Sequence, residues 1–199
     1  DLLPLLRPMN MYGFSKHFFY FFSLKQGHLD NIVCLKFFNV FGPNEYHKNE
    51  MKSVVCKAYE QVKSRGQISL FQSYRQDFGH GEQKRDFIYI KDCLKIIHWF
   101  IKNPEINGVF NVGTGQARTW NNLAGAVFKA LGQESKIEYI EMPELIRSKY
   151  QYYTQAKMEK LYAAGWQDQM TSLEQAVKDY VLYLENENNP YLGNEERNR

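Results

Sequence analysis

Residues 11–16, MYGFSK, hold a tyrosine and a lysine at a spacing that suits proton transfer. Tyr12 and Lys16 are four residues apart, so on a helix their side chains lie on one face, one turn from each other. A tyrosine phenol has a pKa of about 10, and a neighbouring ammonium favours its phenolate, which makes it a better base near neutrality. The spacing alone does not separate a catalytic pair from helix packing, because it occurs three times: Tyr12 with Lys16, Tyr59 with Lys63, and Tyr153 with Lys157.

A second stretch, VFNVGTGQARTWNNLAGAV, has the outline of a dinucleotide-binding turn. Gly113 and Gly115 follow a predicted strand and precede a predicted helix. Arg118, however, occupies the place of the third glycine, where a small residue is needed for close packing of helix and strand. The stretch is therefore interpreted as a tight turn, with a phosphate-binding loop as the less favoured alternative.

Composition excludes several classes of protein. The chain has 199 residues, of which 44% are hydrophobic, enough for a folded core. A net charge of +3 with scattered lysines and arginines indicates no nucleic-acid partner. Cys34, Cys56 and Cys93 have no metal-ligand spacing, which predicts reduced thiols in a cytoplasmic protein without a metal site. No apolar run approaches the ~20 residues that a membrane span needs.

Helical and strand patterns alternate along the chain, which predicts an α/β fold with a parallel sheet. The expected elements include a helix over 13–27 that is buried on several sides and one buried strand in NIVCLKFFNVFGP. Further helices are expected over 51–66, 119–131, 153–164 and 171–186, and a long polar loop in QSYRQDFGHGEQK. The tail over 187–199 is predicted to be disordered.

The opening residues, DLLPLLRP, include no initiator methionine, so the chain is expected to be the C-terminal part of a longer protein. No better glycine-rich phosphate loop than 113–115 occurs in it. If Tyr12 and Lys16 act with a nicotinamide, the pyrophosphate loop should precede residue 1. We therefore expect the 199 residues alone to have no useful turnover.

Four motifs occur in the order and spacing of the extended short-chain dehydrogenase/reductases: RPMNMYGFSK, FFNVFGPNE, KRDFIYIKD and FNVGTG. More narrowly, GPNEYHKNEM and KYQYYTQA resemble the ADP-L-glycero-D-manno-heptose 6-epimerases of that superfamily. The resemblance covers about residues 7–185. It implies the last part of a Rossmann-type parallel sheet (1–43) and a smaller α/β substrate-binding domain (mainly 44–186), some of whose segments return to the sheet.

The resemblance assigns catalytic or cofactor roles to four residues and a substrate contact to a fifth. It implies that Tyr12 exchanges the alcohol proton and that Lys16 assists it and holds the nicotinamide ribose. It also implies that Val40 lines the nicotinamide site and that Asn39 bonds the substrate. Lys48 is implied as a second acid/base beside the cofactor, whereas its residue type alone favours a solvated loop lysine. The implied cofactor is NADP, with NAD as the alternative.

Substrate contacts are implied for a second set of residues. Arg85 is expected to contact the diphosphate, because its planar donors suit phosphate oxygens; the competing interpretation is an ion pair with Asp86 or Asp92. Two residues depart from the family pattern, Glu50 in place of a serine-type contact and Lys57 in place of a histidine. The remaining implied substrate contacts are Phe71, Gln72, Ser73, Tyr74 and Tyr150.

The implied function is inversion of C6 of ADP-D-glycero-D-manno-heptose by transient oxidation and reduction, for lipopolysaccharide core synthesis. The resemblance also implies a cytoplasmic homo-oligomer, a pentamer by family analogy, that contacts neither nucleic acid nor membrane. The first alternative is another epimerase, dehydratase or reductase of the superfamily that acts on a UDP- or GDP-sugar. The alternative of another class is a non-catalytic nucleotide-sugar-binding or oligomerisation module.

Overall fold

The computed structural model describes residues 5–8 and 10–186, so the predicted disordered tail over 187–199 lies outside the described residues. Helices and strands alternate, as predicted. The helices are α1 (Met11–Lys25), α2 (Val54–Arg65), α3 (Ile90–Lys102), α4 (Trp120–Ala130), α5 (Glu144–Arg147), α6 (Glu159–Ala163) and α7 (Leu173–Glu185). The strands are β1 (Val33–Phe37), β2 (Asn39–Phe41), β3 (Ile68–Phe71), β4 (Lys84–Tyr89), β5 (Gly108–Val112), β6 (Ala117–Thr119) and β7 (Ile137–Ile140).

Between the strands of residues 5–8 and 10–186, three of the four pairings are parallel. Strand β1 pairs with β5, β2 with β4, and β3 with β7, whereas β4 and β6 are antiparallel. The single strand predicted for 31–43 is wrong, because the chain changes partner at Phe38. The N–H of Phe38 donates to the carbonyl of Val112 (2.9 Å), and from Asn39 onward the ladder continues on β4.

Two hydrophobic clusters lie on opposite faces of this sheet region. One contains side chains of β2 and β4 with helices α2, α4 and α7. The other contains Ile88 of β4, side chains of α3, β5 and α6, and the segment around Ala156 and Met158. Helices on both faces of parallel strands are the arrangement of a doubly wound α/β fold.

Helix α1 is less buried than its composition predicts. Asn10 caps it by accepting from the N–H of Gly13 (2.8 Å), and Gly27 follows its end with a positive φ of 69°. Ser23 is its only buried residue, and Phe14, Phe18 and Phe22 stack along an exposed face. The expectation of burial on several sides is therefore wrong for the described residues, because one face alone packs on the β1 region.

The helix predicted for 153–164 is also wrong over its first half. Only Glu159–Ala163 is helical, because the preceding residues bond to distant elements instead of to each other. The N–H of Ala156 donates to Asp86 (3.0 Å), and the side-chain amide of Gln155 donates to the carbonyl of Gly115 (2.6 Å). Tyr153 and Lys157 therefore do not share a helical face.

The pair Tyr59 and Lys63 lies within α2, as predicted for packing and surface. The Tyr59 hydroxyl donates to Glu185 (2.5 Å), and the Lys63 ammonium lies 3.2 Å from the same carboxylate. All three cysteines are buried free thiols. None of the helices within 5–8 and 10–186 combines the length and the apolar character of a membrane span.

Candidate active site

Tyr12 and Lys16 lie on the wall of a cleft of about 830 Å³ between the start of α1 and the ends of β1 and β5. The Asn10 cap sets the first turn of the helix, and the four-residue spacing then places the Lys16 ammonium 5.3 Å from the centre of the Tyr12 ring. Tyr12 is 74% exposed, so its hydroxyl is open to a ligand in the cleft. The predicted one-turn pairing of these side chains is confirmed.

The cleft also contains residues that the sequence did not single out. Asn111 and Gln151 line it from two distant parts of the chain, and Phe38 lines it where β1 passes to β2. Asn111 lies in FNVGTG and Gln151 in KYQYYTQA, so the two motifs that carry the resemblance also contain these two cleft residues. Lys36 is a fourth such residue, and burial lowers the pKa of its ammonium group.

The Asp86 carboxylate lies on the inner side of the turn at Gly113–Gly115. It accepts from the backbone N–H groups of Thr114 (2.7 Å) and Gly115 (2.9 Å), the groups that a phosphate would need. A Cβ at Gly113 would lie 2.7 Å from this carboxylate and 2.5 Å from the Cβ of Ala156. The structure therefore supports the tight-turn interpretation, and glycine at 113 is required by this close approach.

Arg85 is a buried cation without an acidic partner among the described residues. The residue is 8% exposed, and its guanidinium carbon lies 5.2 Å from the centre of the Tyr150 ring and 5.8 Å from that of Trp120. Within the described residues its Nη1 donates to the carbonyl of Lys84 (2.9 Å).

The competing ion-pair interpretation of Arg85 is not supported. Asp86 is occupied by the 113–115 turn and Ala156, and Asp92 accepts from Thr171 and Lys95. Because an unpaired buried charge is costly, a guanidinium that has no acidic partner among the described residues is suited to an anionic ligand.

The Tyr150 ring lies against the Arg85 guanidinium. Burial raises the pKa of its phenol, against a smaller opposing effect of the nearby Arg85 charge, so the phenol is neutral at physiological pH. The Trp120 indole N–H donates to its oxygen (3.0 Å), which leaves the Tyr150 O–H available to a ligand.

The segment over 71–74 lies against Tyr150 and Tyr152. The Phe71 ring meets the Tyr150 ring edge-on at 6.4 Å, and the N–H of Tyr74 donates to the Tyr152 hydroxyl (3.0 Å). Gln72 and Ser73 bond mainly within the protein, Gln72 to the carbonyls of Tyr139 and Ile140 and Ser73 to His80. The structure thus brings Phe71, Tyr74, Arg85 and Tyr150 into one group, which we call the Arg85 group.

The third set of predicted residues lies on the 46–51 loop and in the first turn of α2, outside the lining of the cleft. Lys48 is exposed in the short helical turn Tyr46–Met51. Glu50 and Lys57 bond to each other: the Lys57 ammonium lies 3.2 Å from the Glu50 carboxylate and also contacts its carbonyl oxygen. The Glu50 side chain is 99% exposed, so it is turned outward. Glu50 and Lys57 are the two departures from the family pattern, and their opposite charges therefore neutralise each other.

The Arg85 group adjoins the cleft of Tyr12 and Lys16, whereas the 46–51 loop does not line that cleft. Tyr150, Gln151 and Tyr152 are consecutive, and they connect the Arg85 group to the cleft of Tyr12 and Lys16. Asn39 is exposed in β2, whereas Val40 packs toward the core.

Among 5–8 and 10–186 no group of three or more histidine, cysteine or acidic residues is arranged to hold a metal ion.

Replacing Lys57 by methionine should loosen the loop over 46–51. The exposed Glu50–Lys57 pair contributes about 0.5 kcal/mol, so the free energy of unfolding should change little while trypsin cleavage after Lys48 accelerates. Lys63→Met, on the same helix and paired with Glu185, is the matched control. Equal cleavage rates in the two variants would show that the pair does not restrain the loop.

Replacing Arg85 by methionine should weaken binding of a nucleotide diphosphate by about 10- to 100-fold, because charge-assisted hydrogen bonds contribute about 1.5–3 kcal/mol. The free energy of unfolding should not fall, because no carboxylate loses a partner. Calorimetric titration and urea unfolding measure the two quantities. Arg118→Met, which breaks an ion pair with Glu174, should show the reverse pattern; a destabilised Arg85→Met protein with unchanged affinity would make Arg85 structural.

Parallel strands with helices on both faces, and a Tyr–Lys pair at a cleft beside them, are the arrangement of a Rossmann-type α/β fold. The chain belongs to the NAD dependent epimerase/dehydratase family, whose model matches residues 1–113. It is 52% identical over 187 residues to the ADP-L-glycero-D-manno-heptose-6-epimerase of Nitratidesulfovibrio vulgaris (strain DP4), an alignment that covers 94% of this chain and 58% of that protein.

Two further similarities agree with this membership. The enzyme of the same name from Fusobacterium nucleatum is 44% identical over 186 residues, covering 90% of this chain and 56% of that protein. The crystal structure of Helicobacter pylori ADP-L-glycero-D-manno-heptose-6-epimerase superposes with a TM-score of 0.74 at 32% identity, covering 90% of this chain and 52% of that one. The chain thus spans little more than half the length of these relatives.

Proposed function

We propose that the full-length protein containing this chain is an epimerase that inverts C6 of ADP-D-glycero-D-manno-heptose with bound NADP. The observation that carries the proposal is the Tyr12–Lys16 pair on the wall of the 830 Å³ cleft. The names of the relatives supply the substrate class. The unpaired guanidinium of Arg85 supports a diphosphate in that substrate.

The residues of the cleft fit one end of a nicotinamide cofactor. A bound nicotinamide would supply hydride transfer from and to the sugar carbon. Tyr12 as its phenolate, which the Lys16 ammonium favours, takes the proton of the alcohol being oxidised and, as the phenol, gives it back. The turn at 113–115 does not fit the pyrophosphate, because Asp86 occupies its N–H groups.

Lys48 is proposed as the second acid/base. Inversion requires the hydride to return to the opposite face of the transient ketone, so proton transfer from a second direction is useful. Because Lys48 lies outside the cleft lining, this role requires the 46–51 loop to turn toward the sugar. Asn49 in that loop has a positive φ of 48°, a backbone conformation that L-residues seldom adopt.

The proposal is tested by incubating the full-length protein with ADP-, UDP- and GDP-linked sugars and following inversion at C6 of the heptose. Inversion with ADP-heptose alone supports the proposal. Turnover of a UDP- or GDP-sugar without inversion of ADP-heptose would favour another nucleotide-sugar enzyme and make Glu50 and Lys57 the first residues to examine. Cofactor binding without any turnover would favour a non-catalytic module.

Four finer assignments accompany this proposal. They are NADP rather than NAD, a homo-oligomer, a cytoplasmic location and the division into a Rossmann part (1–43) and a substrate part (44–186). The return of β5 to pair with β1 supports the division, because it brings a later segment back to the first sheet. Free buried thiols agree with a reducing compartment.

A further inference from the structure

The Arg147 guanidinium stacks on the ring of Tyr74, a partly exposed member of the Arg85 group. The guanidinium carbon of Arg147 lies 4.1 Å from the centre of the Tyr74 ring, the shortest cation–ring distance among the described residues. Tyr74 is 45% exposed, and Arg147 is also partly open to solvent. The pair therefore presents planar surface to a ligand.

Hydrogen bonds hold both members in place. The Arg147 Nε donates to the carbonyl of Met142 (2.6 Å), and its Nη2 lies 3.5 Å from the Glu141 carboxylate. The backbone N–H of Tyr74 donates to the buried Tyr152 hydroxyl at 3.0 Å. Because the positions are fixed before a ligand arrives, stacking on the pair costs little ordering entropy.

Two tyrosines link the pair to the proposed diphosphate position. Tyr152, whose hydroxyl accepts from the N–H of Tyr74, meets the Tyr150 ring edge-on at 5.4 Å, and the Tyr150 ring lies 5.2 Å from the Arg85 guanidinium. The pair and Arg85 thus belong to one continuous group of contacts. In a nucleotide sugar the group attached to the diphosphate on one side is a nucleoside, which ends in a flat aromatic base.

The two arginines differ in what they can offer. Arg85 is buried and, among the described residues, bonds to a carbonyl and to no carboxylate, so its fork of donors suits an anion. The Arg147 Nε donates to the Met142 carbonyl and its Nη2 lies near the Glu141 carboxylate, so the charge of Arg147 already has an acidic partner. A flat cation stacked on a tyrosine suits a π-system better than a phosphate.

We infer that the Tyr74–Arg147 pair is the stacking platform for the nucleobase of the substrate. This inference rests on the proposed function and extends it to a residue, Arg147, with no role assigned above. Stacking on a planar surface grows with the area of the base, so the platform favours a purine over a pyrimidine. The platform distinguishes bases by their ring area and not by hydrogen bonds to the base edge. Affinity should therefore decrease from purine to pyrimidine nucleotides without being lost.

The test compares ADP, UDP and inorganic pyrophosphate as ligands of the full-length protein in calorimetric titrations. Arg147→Met should weaken ADP by about tenfold, because base stacking contributes about 1–3 kcal/mol. Pyrophosphate, which has no base, should bind as before, and the preference for ADP over UDP should shrink. Tyr74→Phe should retain ADP affinity, whereas Tyr74→Ala should lose it.

Two variants separate this inference from the proposed function. Arg85→Met should weaken ADP and pyrophosphate alike, because it acts on the diphosphate. Lys160→Met removes another cation that lies over a ring, 4.6 Å from the centre of Phe110, and should change neither. Equal losses of ADP and pyrophosphate in Arg147→Met, or no loss of either, would overturn the platform. Wild-type protein that binds ADP but does not invert ADP-heptose would instead overturn the proposed function.

Discussion

Replacing Tyr12 by phenylalanine in the full-length protein should lower kcat by about 10²- to 10⁴-fold, the usual contribution of a positioned general acid/base. The change removes one oxygen atom from a ring that is largely exposed, so packing and the free energy of unfolding should stay as they are. Affinity for the nucleotide sugar should also be retained, because Arg85 and Tyr150 are untouched. Steady-state kinetics of epimerisation, together with calorimetric titration of ADP, measure these effects.

The chain offers a matched control for that experiment. Tyr153→Phe removes the same hydroxyl from another Tyr-x-x-x-Lys copy, which is not helical and does not line the cleft. It should leave kcat unchanged. Normal turnover by the Tyr12→Phe protein would sink the assignment of the cleft as the place of chemistry.

The same assay on Lys48→Ala decides how many residues serve the two faces of the ketone. Loss of inversion in both the Tyr12 and the Lys48 variants would support two acid/base groups. Inversion that survives Lys48→Ala would leave Tyr12 to serve both faces, and Lys48 would then be the solvated loop lysine that its exposure suggests.

Replacing Asp86 by alanine should reduce the free energy of unfolding by about 4 kcal/mol, a large part of the roughly 5–15 kcal/mol of a typical domain. The Asp86 side chain is fully buried. Its two oxygens accept from the backbone of Thr114, Gly115 and Ala156 and from the Thr114 hydroxyl, at 2.7–3.0 Å. Without the carboxylate these donors, which are buried or partly buried, lose their acceptor, at a cost of about 1–3 kcal/mol for each one that water does not reach.

Urea unfolding of Asp86→Ala and Asp86→Asn gives the measurement. The asparagine variant keeps one acceptor oxygen but turns an amide toward donors, so its loss should be about half as large. Asp77→Ala serves as the control, because Asp77 is exposed and its ion pair with Arg75 lies on the surface, where such a pair adds little to stability. A loss below about 1 kcal/mol in Asp86→Ala would contradict the view that this carboxylate joins the turn to the 154–158 segment.

The sequence by itself determined the features that depend on residues near one another. Asn10 and Gly27 bound the helix in which Tyr12 and Lys16 share a face, since a cap, a positive-φ glycine and a four-residue spacing act within a few turns. The alternation of helices and strands and the tight turn at Gly113 were also predictable. The four motifs pointed to the family that the comparisons then showed.

Only the tertiary structure decided the features whose partners lie far apart in the chain. Asp86 accepts bonds from residues 28 and 70 positions away, and the second of these prevents the helix expected at 153. The strand expected over 31–43 divides at Phe38, because two different strands compete for it. Arg85 has no acidic partner within the described part of the chain, although Asp86 is next to it in sequence. Local pattern assigns an element its type, but long-range hydrogen bonds and burial decide which charges are paired and which remain free for a ligand.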